Sequence, residues 1–196
     1  MLISDHIFKD ITFSPSPNIG EKFGSGLPDT IILHYTATMD AARAIYMLSD
    51  PAREVSAHLV VDRDGRITQL VPFNTIAWHA GKSKWGERES LNKFSIGIEI
   101  VNAGPLNLEN KTFLTWDQLP IPNNEVYPRL NNNSEIEYWH IYPKKQIQAL
   151  EFICKNLISA YNIKEILAHS EIAPDRKIDP GPALNLENFK KLVSTN

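Results

Sequence analysis

A layered α/β domain, a mixed β-sheet flanked by helices, is the fold class that three observations on this 196-residue chain predict. Two short apolar runs rich in β-branched residues, Thr30 to Tyr35 and Phe94 to Val101, read as strands buried on both faces. Helix-type segments, Asp40 to Leu48 and Pro143 to Asn162, alternate with them. The dipeptide Asp64-Gly65 lies between two further strand-like runs and marks a hairpin turn. Strands alternating with helices at this spacing layer helices on a sheet.

Composition narrows the function classes. The chain is 42% hydrophobic and 22% charged, with no apolar run near the roughly 20 residues of a membrane span. Its net charge of −3 and the lack of any Lys/Arg cluster give no basis for nucleic-acid binding. The single cysteine, Cys154, falls in a helical pattern, cannot form an internal disulfide, and is expected as a small core residue. Met1 to Asp10 lack a basic stretch followed by a continuous apolar one, so no signal peptide is read and the default expectation is cytoplasmic, with export left open. Oligomeric state is not readable.

In chain order, residues 1–29 carry Ser14-Pro15-Ser16-Pro17-Asn18 and Gly24-Ser25-Gly26 and read as an irregular N-terminal arm, with the domain proper spanning 30–196. Thr30 to Tyr35 is the first core strand, with His34 at its C-terminal end. The helix from Asp40 to Leu48 stops near Ser49-Asp50-Pro51, and Ala57 to Val61 and Arg66 to Val71 pair around the Asp64-Gly65 turn. In the strand Phe94 to Val101, Gly97 permits a close approach and Glu99 interrupts the apolar run. From about 102 to 142 the chain is rich in Asn and Pro yet carries Phe113, Trp116, Tyr127, Tyr138 and Trp139. An insertion this long inside a compact domain is usually functional, and its aromatics are expected to wall a cleft. Ile147, Leu150, Cys154, Leu157, Ile158 and Tyr161 then share the stripe of an amphipathic helix that opens at Pro143. Ile163 to Ala168 leads as a strand into His169, a proline-rich loop runs to Pro182, and Leu186 to Val193 forms a last helix.

The chemistry concentrates at His34 and on the loop from His169 to Pro182. A lone histidine at a strand end is ordinarily a hydrogen-bonded structural residue. His34 and His169 end two predicted strands, however, and Asp179 lies on the loop that follows, so the three form a His-His-Asp set with one position left open. That is the arrangement in which Zn²⁺ lowers the pKa of bound water to about 7. Glu99, costly in mid-strand unless paired, reads either as one half of a buried ion pair with Lys177 or as a proton carrier beside the metal. Lys177 reads either as a solvated loop lysine or as a cation that stabilises a developing oxyanion.

The segments His34-Tyr35-Thr36-Ala37, Val55-Ser56-Ala57-His58, Ala77-Trp78-His79-Ala80-Gly81, Ser95-Ile96-Gly97-Ile98-Glu99 and His169 through Pro182 occur in the order and wording of a known family. Over roughly residues 28–193 the chain resembles the zinc N-acetylmuramoyl-L-alanine amidases, in their AmpD/AmiD branch, whose fold is shared with peptidoglycan recognition proteins. The resemblance implies zinc as cofactor, His34, His169 and Asp179 as its ligands, and Glu99 and Lys177 as catalytic residues. It implies a peptidoglycan or muropeptide substrate, cut between N-acetylmuramic acid, or its 1,6-anhydro form, and L-alanine. The tyrosine that the phage enzymes place before the histidine of the second strand is Ala57 here, while Glu99 stands where they carry a non-acidic residue. Tyr35, Trp78, His79 and Arg88 are the expected substrate contacts, with Arg88 suited to a stem-peptide carboxylate. The alternative is a peptidoglycan-binding module on the same fold without catalysis.

Overall fold

The computed structural model describes residues 3–194, so the first two residues of the expected arm and the last two of the chain lie outside the described part. A six-stranded mixed sheet forms the centre, in the spatial order Glu165–Ala168, Thr30–Tyr35, Ser95–Ile100, Leu59–Val61, Ile67–Gln69, Thr12–Phe13. The first four strands run parallel, and Leu59–Val61 with Ile67–Gln69 is the expected antiparallel hairpin.

The continuous apolar runs are explained by burial on both faces. Ile31, Leu33, Ile96 and Ile98 pack with Leu150, Ile153 and Leu157 of α2 (Lys144–Ala160) and Phe189 of α4 (Leu186–Ser194). Ile32 belongs to a different cluster, with Ala80, Leu91, Leu167 and Ile172. Cys154 is buried in the first cluster, as expected. Helix α1 (Ala41–Ser49) starts where the Asp40 carboxylate accepts the Ala42 N–H at 2.8 Å, and it buries Ala44 and Leu48 against Val60, Leu70 and Val101.

Two regions differ from the sequence reading. Residues 1–29 were expected to be irregular, yet Thr12–Phe13 is an edge strand of the central sheet and Ile19–Lys22 pairs with Thr75–Ala77. Phe8 is buried in the main core, edge-on to Phe73. The prolines interrupt this segment only between its strands, where Ser14 and Ser16 donate to Gln69 O and Leu70 O.

The insertion is likewise regular: a second, five-stranded antiparallel sheet in the order Pro120–Ile121, Thr112–Leu114, Pro105–Glu109, Ile136–His140, Val126–Leu130. Leu106 and Ile121 bury against Met39, Phe113 and Tyr138. Its root is held by a buried polar network. Asn102 Nδ2 donates to His140 O and Ile141 O, His140 Nδ1 accepts the Ala103 N–H, and Arg63 bridges Glu125 (2.6 Å) and Ile141 O (3.0 Å). Burial and the Arg63 charge push His140 down to about 4, so it is neutral near pH 7.

Candidate active site

Strand register builds the site. Glu99 lies directly beside His34, and Ala168 beside Leu33, so His169 continues past its strand end at the level of His34. With parallel neighbours about 4.8 Å apart, the three residues form a row across the carboxyl ends of three strands, the usual place for a site in an α/β sheet. Asp179 arrives on the loop after α3 (His169–Ile172). That loop is pinned by Ser170 N–H to Asp179 O (3.0 Å) and by the Tyr142 hydroxyl, which donates to Pro180 O at 2.6 Å. Gly181, at φ +76°, leaves room for the Trp139 ring, which a Cβ there would approach to 2.4 Å.

The donor atoms converge. His34 Nδ1 lies 2.8 Å from His169 Nδ1 and 3.1 Å from Asp179 Oδ2, and His169 Nδ1 lies 2.9 Å from the same oxygen. A tetrahedron with metal–donor bonds of about 2.0–2.1 Å has edges of about 3.3 Å, so an opening of a few tenths of an ångström fits this set to a zinc ion. All three residues are buried. Burial pushes His34 down to about 4 against the opposing hydrogen bond from Asp179, which leaves the ring neutral and a lone pair free for a cation. Burial alone would raise Asp179, but the hydrogen bonds to His169 and His34 outweigh it and hold the carboxyl well below the usual range.

Glu99 has the opposite environment. Its Oε2 is sealed from solvent with no hydrogen-bond partner. Burial and then the Asp179 charge push the carboxyl well above its ordinary value, against the Lys177 ammonium. Two carboxylates beside one site thus have their proton affinities driven apart, the pattern of a permanent anion next to a proton carrier.

The outward ring nitrogens are also occupied. His169 Nε2 faces Ala80 O at 3.2 Å, and His34 Nε2 faces His79 Nδ1 at 3.0 Å. Arg176 grips the same turn, donating to Ala80 O and Lys82 O. His58 lies outside the cleft: its Nε2 donates to Thr75 O and its Nδ1 accepts the Gly97 N–H, a satisfied core histidine.

A cleft of about 400 Å³ opens above these residues. Tyr35, Trp78, His79 and Lys177 line it. Arg88 does not: its guanidinium holds both oxygens of buried Asp29, at 2.7 and 2.9 Å, beside the opposite, N-terminal end of the His34 strand. This corrects Arg88 as a substrate contact. Of the insertion's aromatics, Trp139 is buried under the loop that carries Asp179. Trp116 donates its Nε1–H at 2.6 Å to the carbonyl oxygen of Ala37, a residue that lines the cleft. Sequence reasoning missed Arg176, which reads as a solvated loop cation, and the apolar wall of Met47, Leu48, Val55 and Ile178. For Met47 and Leu48 the signal was the apolar stripe of α1; Val55 and Ile178 lie outside that helix.

Comparison with known proteins agrees with this geometry. The pattern of the N-acetylmuramoyl-L-alanine amidase family matches residues 24–182. The chain is 34% identical over 162 residues to the 1,6-anhydro-N-acetylmuramyl-L-alanine amidase AmpD of Escherichia coli (strain K12), covering 82% of this chain and 70% of that protein. It is 35% identical over 161 residues to the N-acetylmuramoyl-L-alanine amidase AmiD of the same organism, covering 78% of this chain and 48% of AmiD. A crystal structure of AmpD superimposes with a TM-score of 0.73 at 27% identity, over 99% of this chain and 100% of that one. E. coli AmiD, in complex with anhydro-N-acetylmuramic acid-L-Ala-D-gamma-Glu-L-Lys, superimposes with a TM-score of 0.64 at 30% identity, over 91% and 59%.

Proposed function

Because the chain belongs to the N-acetylmuramoyl-L-alanine amidase family, we propose that its cleft hydrolyses the amide between the lactyl group of N-acetylmuramic acid and L-alanine of a muropeptide. The observation that carries this reading is the convergence of His34, His169 and Asp179 beside a Glu99 oxygen that is buried and unpaired. We assign the three as holders of one Zn²⁺. When bound, that ion supplies a Lewis acid that activates water and polarises a carbonyl.

The chain's own groups supply the rest. Glu99 Oε2 accepts the proton of the attacking water and returns it to the leaving amine of L-alanine. Burial and then the Asp179 charge raise Glu99 while Lys177 opposes them, and a cation held by the triad would add to that opposition and favour the carboxylate form. Lys177, on the cleft wall, places an ammonium where negative charge develops on the former carbonyl oxygen. Met47, Leu48, Val55 and Ile178 give the L-alanine and lactyl methyl groups an apolar wall. Trp78 and Tyr35 flank it with flat surfaces for the sugar or stem peptide. AmiD is described with an anhydro-muropeptide bound, and we propose the same substrate class here.

Among the described residues no helix is long and apolar enough to cross a membrane. The direct test is mass spectrometry of products from purified anhydro-muropeptide and from intact sacculi, with zinc measured per chain. About one zinc per chain and release of the intact stem peptide are expected. A metal-free sample that retains full turnover refutes the metal reading, and zinc uptake without cleavage favours a binding module.

A further inference from the structure

The three imidazoles His34, His79 and His58 stand in edge-to-face contact, with centroids 5.1 Å apart for His34 and His79 and 5.9 Å for His58 and His79. His79 is the middle member, and both of its ring nitrogens are engaged. Nδ1 lies 3.0 Å from His34 Nε2, and Nε2 lies 3.3 Å from the Ser95 carbonyl oxygen. From these contacts we infer that His79 is a positioning residue for the metal, acting through His34: it fixes the tautomer and the ring plane in which His34 presents Nδ1 to the cation. The inference rests on the zinc reading above.

The proton bookkeeping leaves one arrangement. For His34 Nδ1 to offer a lone pair to a cation, the ring's proton must sit on Nε2, and a buried N–H needs an acceptor. The only hydrogen-bond contact of His34 Nε2 among the described residues is with His79 Nδ1. His79 must then carry its own proton on Nε2 and donate it to the Ser95 carbonyl. The Ser95 hydroxyl oxygen lies 3.4 Å from His79 Nε2, but its proton goes to Leu91 O at 2.6 Å, so towards Nε2 it too can only accept. The chain of donors therefore runs from His34 through His79 to a strand carbonyl. His169 reaches the same end in one step, through Ala80 O.

The surroundings hold the His79 ring in place. Its backbone N–H and that of Ala80 both donate to Asn92 Oδ1, at 3.0 and 2.7 Å. The ring lies over Gly97, where an added Cβ would stand 2.3 Å from Cγ and 2.6 Å from Nδ1. His58 in turn fixes the Gly97 backbone by accepting its N–H. A ring clamped in this way has no nitrogen left to meet substrate, although its edge lines the cleft. The expected role of His79 as a substrate contact is thus replaced by one in holding the metal ligand.

The test uses zinc affinity, read by competition with a chromophoric chelator on folded protein, and turnover is not needed. His79→Asn keeps an acceptor oxygen near the position of Nδ1, and His79→Leu removes it. Loss of an outer partner of a metal-bound histidine typically costs about 10- to 100-fold in affinity. His79→Leu should therefore bind zinc about 10- to 100-fold more weakly, with His79→Asn within about threefold of the parent. Should both variants weaken alike, packing rather than the hydrogen bond is responsible and the inference falls; it falls too if His79→Leu keeps the parent affinity. Nitrogen-15 NMR of the unmodified zinc-loaded protein reads the same point without substitution. It should show His34 and His79 both protonated at Nε2, and a proton on His79 Nδ1 overturns the proposal. A parent protein that takes up no zinc removes the metal site itself, an outcome distinct from these.

Discussion

Gly97→Ala is the sharpest structural perturbation this fold offers. In a strand, replacing glycine by alanine would ordinarily gain about 0.5–1 kcal/mol from reduced chain entropy. Here the new Cβ would stand 2.3 Å from His79 Cγ. To restore an ordinary contact near 3.4 Å the ring must retreat by about 1.1 Å, the difference between the two distances. Asn92 and the flanking Trp78 backbone, which exchanges hydrogen bonds with Ser56, oppose that movement. Overpacking of this kind costs about 1–3 kcal/mol, and in a domain of this size each kcal/mol lowers Tm by about 2–4 °C. Urea unfolding of the metal-free protein measures it. The second half of the experiment is His79→Ala made both in the parent and in the Gly97→Ala background. In the parent it empties a packed position and destabilises, but together with Gly97→Ala it removes the clashing ring and should recover much of the loss, a coupling above about 1 kcal/mol. Additive effects would show that the ring does not occupy the Gly97 notch, and the account of how His79 is held would be wrong.

Three further outcomes follow from the site and its surroundings. Glu99→Gln should keep its zinc while turnover falls by about 10²- to 10⁴-fold, and Lys177→Met should lose about 10²- to 10³-fold. Metal analysis with single-turnover rates on the two variants checks this, and loss of zinc from Glu99→Gln would return Glu99 to a structural role. Arg88→Ala leaves buried Asp29 with Thr30 Oγ1 at 3.0 Å and Lys164 at 3.7 Å. It should lower stability by about 1–3 kcal/mol, less than a fully buried pair because Arg88 is partly exposed, with KM unchanged. Burial raises the Asp29 carboxyl, but the Arg88 hydrogen bonds and charge outweigh it and set its folded pKa below the unfolded 3.8. The contribution is therefore fully present above that value and fades as pH falls through the folded pKa, so parent and variant should converge in acid denaturation. Replacing Asn107 to Glu135 with a short linker should change the ratio of rates on soluble muropeptide and polymeric wall more than it changes zinc content; rates on both substrates unaltered from the parent would show the second sheet to be inert toward substrate.

The parts legible in the sequence were those whose signal is local. Ile31 to Leu33 and Ile96 to Ile98 announce doubly buried strands, and the side chains that break or end those runs, Glu99 and His34, are the ones the register brings together. Gly97 was readable as a close approach, but not as a seat for an imidazole, because His79 lies 18 residues earlier with no periodicity linking them. Arg88 misled for the same reason: its partner Asp29 is 59 residues away, and a charged residue in a Gly- and Glu-rich turn looks solvated. The second sheet escaped notice because its strands are only two to five residues long, half-exposed and interrupted by Pro120 and Pro128.

The proposed metal donors join distant parts of the chain: His34 meets partners 135 and 145 residues further on. The strand Glu165–Ala168 that delivers His169 is the last strand of the chain and an outer edge of the central sheet, held there by pairing with Thr30–Tyr35. During synthesis the site cannot exist until that edge strand has emerged and docked, so a truncated or nascent chain has no hydrolytic capacity however well the rest has folded. Capture of an ion by the three donors would then act as a clasp on contacts that join residues 135 and 145 positions apart in the chain. Backbone amides of Glu165–Ala168 should exchange with solvent more slowly in zinc-loaded than in chelator-treated protein, while those of the Leu59–Val61 hairpin change little.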